Sequence, residues 1–232
     1  MNTPATHPVN PNQTLVIFDY DGVLVDTEVI AVELDRQILS EHGWNLTREQ
    51  VIEKFLGTPM ITVQRELERY LGYSLGEDWI DTLTHRYQRE FDQRLTAVAG
   101  IEHALNAIDS AGFRTCVASS GSYQKIEHSL TLCELYERFS GRIFSADDVA
   151  RGKPAPDLFI HAATQMGYSP SHCVVVEDSA HGVTAARAAH MPVLGYAGGV
   201  TPEQQLKSAG ATTFYRMVEL PALISTISST QD

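Results

Sequence analysis

The sequence predicts an α/β protein, with a doubly wound, parallel-sheet (Rossmann-like) core and an inserted α-helical cap domain. Three observations carry this. Short apolar runs, each ending abruptly in polar residues, alternate with helical patterns. The alternation lapses between about residues 28 and 95, where only helical patterns occur. A length of 232 residues suits one good-sized core, or a core plus a modest insertion, and not several independent domains.

Met1 to Gln13 is polar, carries Pro4, Pro8 and Pro11, and lacks the apolar run of a secretory signal, so it reads as a flexible tail. Leu15-Val16-Ile17-Phe18 is a run of branched and aromatic residues that suits a strand buried on both faces, and it stops at Asp19. In the stretch that follows, Ile30, Leu34 and Ile38 repeat at helical spacing until Gly43. Thr47-Arg48-Glu49-Gln50 reads as a capping box ahead of Val51, Ile52, Phe55 and Leu56. Gly57 and Pro59 break that helix, and further helical segments run over about 61–71 and 77–95. The core resumes with helical patterns over 101–110, 123–132, 157–166 and 182–190. Between them fall apolar runs at 115–118, 142–145 and 173–176, and another follows at 192–196. The expected organisation is therefore a tail over 1–13, a core formed by 14–27 and 96–232, and a helical cap over 28–95 that acts as a lid. In such sheets ligands bind beyond the carboxyl ends of the strands, so the polar residues ending each run should converge.

The net charge of −12 repels nucleic acid and anionic membrane surfaces on average, and no apolar stretch approaches the ~20 residues that span a bilayer. A small anionic substrate stays possible, because amides, a lysine and a cation can reverse the field within one cleft. Cys116, Cys133 and Cys173 match neither a disulfide framework nor a zinc cluster and read as buried thiols. A reducing cytoplasm is the expected compartment.

Asp19 and Asp21 lie two apart at a strand end, so in extended backbone their side chains share a side while Tyr20 points elsewhere. Such a pair is either a solvated turn or two carboxylates with divided roles, one a nucleophile and one a proton carrier. Gly22, which permits a tight turn and close backbone approach, and the return to apolar Val23-Leu24-Val25 favour the second reading. Ser119-Ser120-Gly121 offers hydroxyl and amide donors ahead of a helix, a cradle for phosphate oxygens or an ordinary serine-glycine turn. Lys153, between Gly152 and Pro154, is either a positioned ammonium or a solvated lysine. Glu177 and Asp178 add carboxylates at the end of the third run; hard oxygen ligands of this kind suit Mg²⁺.

Phe18-Asp19-Tyr20-Asp21-Gly22-Val23-Leu24-Val25-Asp26-Thr27-Glu28 resembles the first motif of the haloacid-dehalogenase-like hydrolase superfamily, in its sugar-phosphatase and β-phosphoglucomutase-like branch. Ser119 is similar to the second motif, Lys153 in Gly-Lys-Pro to the third and Glu177-Asp178-Ser179 to the fourth, in order across about Leu15 to Tyr196. The resemblance implies a core with a helical cap, and it implies roles. Asp19 would attack phosphorus, and Asp21 would protonate the leaving oxygen and then activate water. Mg²⁺ would be held by Asp19, the Asp21 carbonyl and Asp178, with Glu177 in its outer shell, while Ser119, Ser120 and Lys153 would bind the phosphoryl group. Asp21, absent from the dehalogenating relatives, points to phosphate esters.

The cap loop at Gly57 would meet the substrate. There the mutase relatives carry an arginine three residues past a glycine, where this chain has Met60, which favours hydrolysis unless Lys54 or Arg65 substitutes. The expected substrate is a small phosphorylated metabolite, a sugar or sugar-acid phosphate such as 6-phosphogluconate. A phosphomutase and a non-catalytic binding module on the same fold are the rival functions, and a monomer is the family-typical state. His128, His161 and His181 read as surface or packing histidines, Trp44 and Trp79 as core anchors, and Asp147 and Asp148 as a helix start or turn.

Overall fold

The computed structural model describes residues 14–229, so the expected tail over 1–13 lies outside it. The chain runs from strand β1 (Leu15–Phe18) into helices α1 (Thr27–Glu41), α2 (Arg48–Phe55), α3 (Met60–Leu71) and α4 (Trp79–Arg94). It continues through α5 (Ile101–Ser110), β2 (Arg114–Ser119), α6 (Tyr123–Leu132), α7 (Tyr136–Phe139) and β3 (Ile143–Ser145). Then come α8 (Asp157–Met166), β4 (Cys173–Glu177), α9 (Ala180–Ala188), β5 (Val193–Tyr196), α10 (Glu203–Ala209), β6 (Thr212–Phe214) and α11 (Leu220–Ser228).

All six strands pair in parallel, in the order β3-β2-β1-β4-β5-β6. The winding reverses at β1, whose carboxyl end is thus the switch point where such sheets bind ligands. β1 is fully buried and its side chains alternate: Val16 and Phe18 join one apolar cluster with α5, α6 and α11, and Leu15 and Ile17 join another with α8 and α9.

The helices between β1 and β2 have apolar packing of their own. Val51, Phe55, Val63 and Leu67 cluster with half-buried Trp44 and Trp79, and Val200, from the segment after β5, joins them. Leu34, Ile38, Leu83 and Tyr87 pack α1 on α4. The Thr47–Gln50 capping box forms as read, with Gln50 N donating to Thr47 Oγ1 and Thr47 N donating to Gln50 Oε1. The backbone segments entering and leaving these helices lie side by side, Asp26 N donating to Thr96 O and Val98 N to Leu24 O.

Two departures from the sequence reading have plain causes. The helix expected over 182–190 starts two residues earlier, because Ser179 Oγ caps it by accepting from Gly182 N, and His190 falls beyond its end at positive φ. The short α7, α10, β6 and α11 were not read. β6 has only three residues at the sheet edge, which leaves no period to detect. The three cysteines are buried free thiols, and no helix among the described residues is long and apolar enough to cross a membrane.

Candidate active site

β1 ends by delivering Asp19 to the switch point, where its backbone N–H donates to Val176 O of β4. The Asp19 carboxylate is almost fully buried, and its Oδ1 accepts from Lys153 Nζ at 2.6 Å. Lys153 spends its other two protons on Glu177 Oε1 at 2.9 Å and Ala118 O at 3.1 Å, so all three ammonium donors are satisfied. Its side chain is 5% exposed, which removes the reading of a solvated lysine. Burial alone would lower its pKa; the facing carboxylates of Asp19 and Glu177 outweigh that and hold it above the usual lysine value. For Asp19 burial dominates, helped by repulsion from Glu177 and opposed by Lys153, and pushes the carboxyl up to about 7.

Glu177 is fully buried, and its second oxygen, Oε2, accepts from Ser179 N at 2.6 Å. It therefore orients Lys153 and anchors the turn into α9. Gly182 makes room for it: a Cβ there would sit 1.6 Å from Glu177 Oε1. Asp178 is buried beside Asp19 and Glu177, and one oxygen from each of the three lies within 4.8 Å of the others. Gly22, at φ +74°, brings its backbone against Asp178 so closely that a Cβ would lie 2.0 Å from Oδ2.

Among the described residues Asp178 Oδ2 has no hydrogen-bond partner, and neither has Glu28 Oε2 in the first turn of α1. Burial raises both carboxyls, Glu28 to about 7, and repulsion from Glu28 and Glu177 raises Asp178 further, because two facing carboxylates are compatible only with a shared proton or cation. Orphaned buried oxygens, hard donors only and surplus negative charge fit a hard divalent cation such as Mg²⁺.

Asp21 stands apart, half-buried, its Oδ1 accepting from Thr27 Oγ1 at 2.8 Å. Lys125 Nζ of α6 bonds it at 3.2 and 3.0 Å, to Oδ1 and Oδ2 respectively, while lying 5.6 Å from the centre of the Tyr20 ring. Tyr20 itself is fully buried in the core, away from the two aspartates. Ser119 is buried, with its Oγ accepting from Gly121 N at 3.0 Å. Ser120 is not drawn into the cluster and is exposed, because β2 ends at Ser119 and the chain turns outward.

A cavity of about 740 Å³ opens between α1–α4 and α6, and Lys125, which bonds Asp21, lies on its wall. Gly57, at positive φ between α2 and α3, lies on its wall with Met60; Lys54, Arg65, Trp44 and Trp79 do not line it. His128 does, with Nε2 2.6 Å from Asp92 Oδ1, whereas His161 packs on Phe144 and His181 is exposed. Asp147 and Asp148 sit in a short turn capped by Ser145.

Sequence reading missed Thr27, Glu28 as a partner of Asp178, Lys125, Gly182 and the cavity acids Asp35 and Asp92. Only Thr27 and Glu28 left a signal, as the last two residues of the first motif. Asp35 Oδ1 accepts from the Tyr87 hydroxyl, and burial, against that bond, raises its carboxyl to about 6. A folded-state value above the unfolded one means the folded form holds an extra proton between them. That stabilisation is complete below the unfolded value and is lost as pH rises through about 6. Asp35→Asn should thus raise the urea midpoint by about 1–2 kcal/mol equivalent near pH 8 and leave it unchanged near pH 4.

The family described as haloacid dehalogenase-like hydrolase matches residues 16–196, and the chain belongs to it. It is 31% identical over 212 residues to the 6-phosphogluconate phosphatase of Escherichia coli K12, covering 90% of this chain and 93% of that protein. Among solved structures, a haloacid dehalogenase-like protein from Agrobacterium tumefaciens C58 superposes with a TM-score of 0.84 at 34% identity, covering 93% of this chain and 99% of that one. A HAD-family hydrolase from Deinococcus radiodurans R1, crystallised with phosphate and sodium, gives 0.83 at 29%, covering 94% and 97%.

Proposed function

We propose that this chain, a phosphoric monoester hydrolase of the family, dephosphorylates a small sugar or sugar-acid phosphate through a phosphoryl group carried on Asp19. The observation that carries this is the Lys153 ammonium held 2.6 Å from Asp19 at the switch point, beside an Asp178 oxygen with no partner. A nucleophilic carboxylate must be ionised, and the Lys153 ammonium favours that form, opposing the burial that raises Asp19 to about 7.

In the first half-reaction an Asp19 oxygen attacks phosphorus, the bond from phosphorus to the substrate oxygen breaks, and Asp21 gives that oxygen its proton. In the second, water attacks the same phosphorus, Asp21 takes a proton from it, and the bond from phosphorus to Asp19 breaks. The products are the alcohol and inorganic phosphate, with both aspartates restored. Lys125 and Thr27 orient Asp21 for both transfers, and Lys153 with the Ser119 hydroxyl binds the phosphoryl oxygens.

The Asp19 carboxylate, the Asp21 carbonyl and Asp178 would hold Mg²⁺, with Glu28 and Glu177 behind them. Bound there, Mg²⁺ would supply positive charge against the negative charge of the phosphoryl oxygens. The helices α1–α4 act as a cap over the cavity, hinged where residues 24–26 pair with 96–98, and the Gly57 loop faces the substrate. Met60 on the cavity wall, with Lys54 and Arg65 exposed elsewhere, favours hydrolysis over phosphoryl migration between two sugar positions.

The test is phosphate release from a panel of phosphorylated metabolites. We expect EDTA to abolish release and excess Mg²⁺ to restore it. Equal release in EDTA would contradict the metal assignment, and no release from any compound with Mg²⁺ would favour a binding module.

A further inference from the structure

The cavity lined by Lys125 carries charge of one sign. Glu28, Asp35 and Asp92 line it against one ammonium, Lys125, and one imidazole, His128. Both bases are committed, Lys125 to Asp21 at 3.0 Å and His128 to Asp92 at 2.6 Å. Among the described residues no arginine lines the cavity. The remaining wall is apolar, as at Val32, Leu56, Met60 and Phe91, with uncharged polar groups at Thr58 and Gln88. Tyr87, by donating to Asp35, fixes that carboxylate on the wall.

Lys125 ties this cavity to the chemistry, because the same ammonium lines it and holds Asp21. The group that receives a proton from Asp21 therefore departs into the cavity. Resting on the phosphatase reading above, we infer that the leaving group is uncharged: a sugar or polyol bearing a single phosphate, with no carboxylate or second phosphate. Its hydroxyls donate to the Asp35 carboxylate and meet Thr58 and Gln88, and its C–H faces lie on the apolar wall. An anionic end would sit among three carboxylates with no uncommitted cation on the wall. At partial burial, one like charge near contact distance costs roughly 10–100-fold in kcat/KM. This narrows the substrate away from the sugar acid in the E. coli relative's name.

Glucitol 6-phosphate and 6-phosphogluconate form a matched pair, differing only by CH₂OH against COO⁻ at the end remote from phosphate. With Mg²⁺ at low ionic strength and about pH 8, the hexitol phosphate should show the higher kcat/KM by about 10–100-fold. The gap should shrink with added salt and in both Asp35→Asn and the exposed-site variant Asp92→Asn, each changing kcat/KM for the acid more than for the hexitol. Equal or faster turnover of the acid, or a gap untouched by both variants, overturns the inference while leaving a phosphatase. Release from neither compound, nor from any other monoester in the panel, overturns the phosphatase reading and the inference with it.

Discussion

Asp19→Asn should lose on the order of 10⁴-fold or more in kcat while remaining folded, with a urea midpoint within about 1–2 kcal/mol of the unsubstituted chain. The amide keeps the shape of the carboxylate, and its oxygen still accepts from Lys153 Nζ, so the contact at 2.6 Å survives in weaker form. What disappears is the nucleophilic lone pair. One negative charge also leaves a buried cluster that includes Glu177 and Asp178, which offsets part of the weakened ion pair. A steady-state assay on the best substrate of the panel, with urea unfolding of the same preparation, separates the chemical loss from any structural one. A variant within 10-fold of the unsubstituted kcat would remove Asp19 from the chemistry.

The second large effect falls on stability. Lys153→Met removes the only cation that bonds Asp19 and Glu177 among the described residues and strands two buried carboxylates, at an expected cost of about 3–5 kcal/mol in EDTA. The cost depends on pH with a determined sign. Asp19 is already raised to about 7 by burial, with Lys153 the chief force opposing the shift. Without Lys153 its folded value rises further above the unfolded one, so the folded variant retains a proton that the unfolded chain releases. The destabilisation should therefore be largest near pH 8 and smaller near pH 5. Activity should fall as well, by about 10²–10³-fold, because the phosphoryl oxygens lose their fixed charge partner. A pH-independent or negligible stability change would mean that the ammonium is not the counter-ion of this cluster.

The two effects reflect how the sequence encodes the site. The strand ends were legible because a strand buried on both faces leaves an uninterrupted apolar run, and Asp19, Ser119 and Glu177 mark where β1, β2 and β4 stop or run out. Parallel order then brings strand-end residues together, so the convergence of Asp19, Glu177 and Asp178 followed from topology before any distance was known. Lys153 was ambiguous alone. Its two neighbouring prolines suggested constraint, and only its three hydrogen bonds decide between a positioned and a solvated ammonium.

The rest was not legible, for physical reasons. Lys125 reaches Asp21 from a separate helix 104 residues away in sequence, and nothing local distinguishes it from a solvated lysine of an amphipathic helix. Gly182 looks like a poor helix residue; its reason is space for the Glu177 carboxylate, which local pattern does not encode. Asp35 and Asp92 fall on the polar faces of α1 and α4, and their place on the cavity wall depends on how those helices pack against α6. Ser120 was grouped with Ser119 because the two are adjacent, but the strand end buries one and exposes the other.

The phosphoryl group on Asp19 can be trapped directly. Acid quenching during turnover, followed by borohydride reduction, converts an acyl phosphate on an aspartate into homoserine, and peptide mass spectrometry locates it. The expected result is homoserine in place of Asp19, formed only with substrate and Mg²⁺ present and with Asp21 and Asp178 unchanged. An unmodified Asp19 under conditions where phosphate is released, or reduction at another carboxylate, would contradict the covalent route through Asp19.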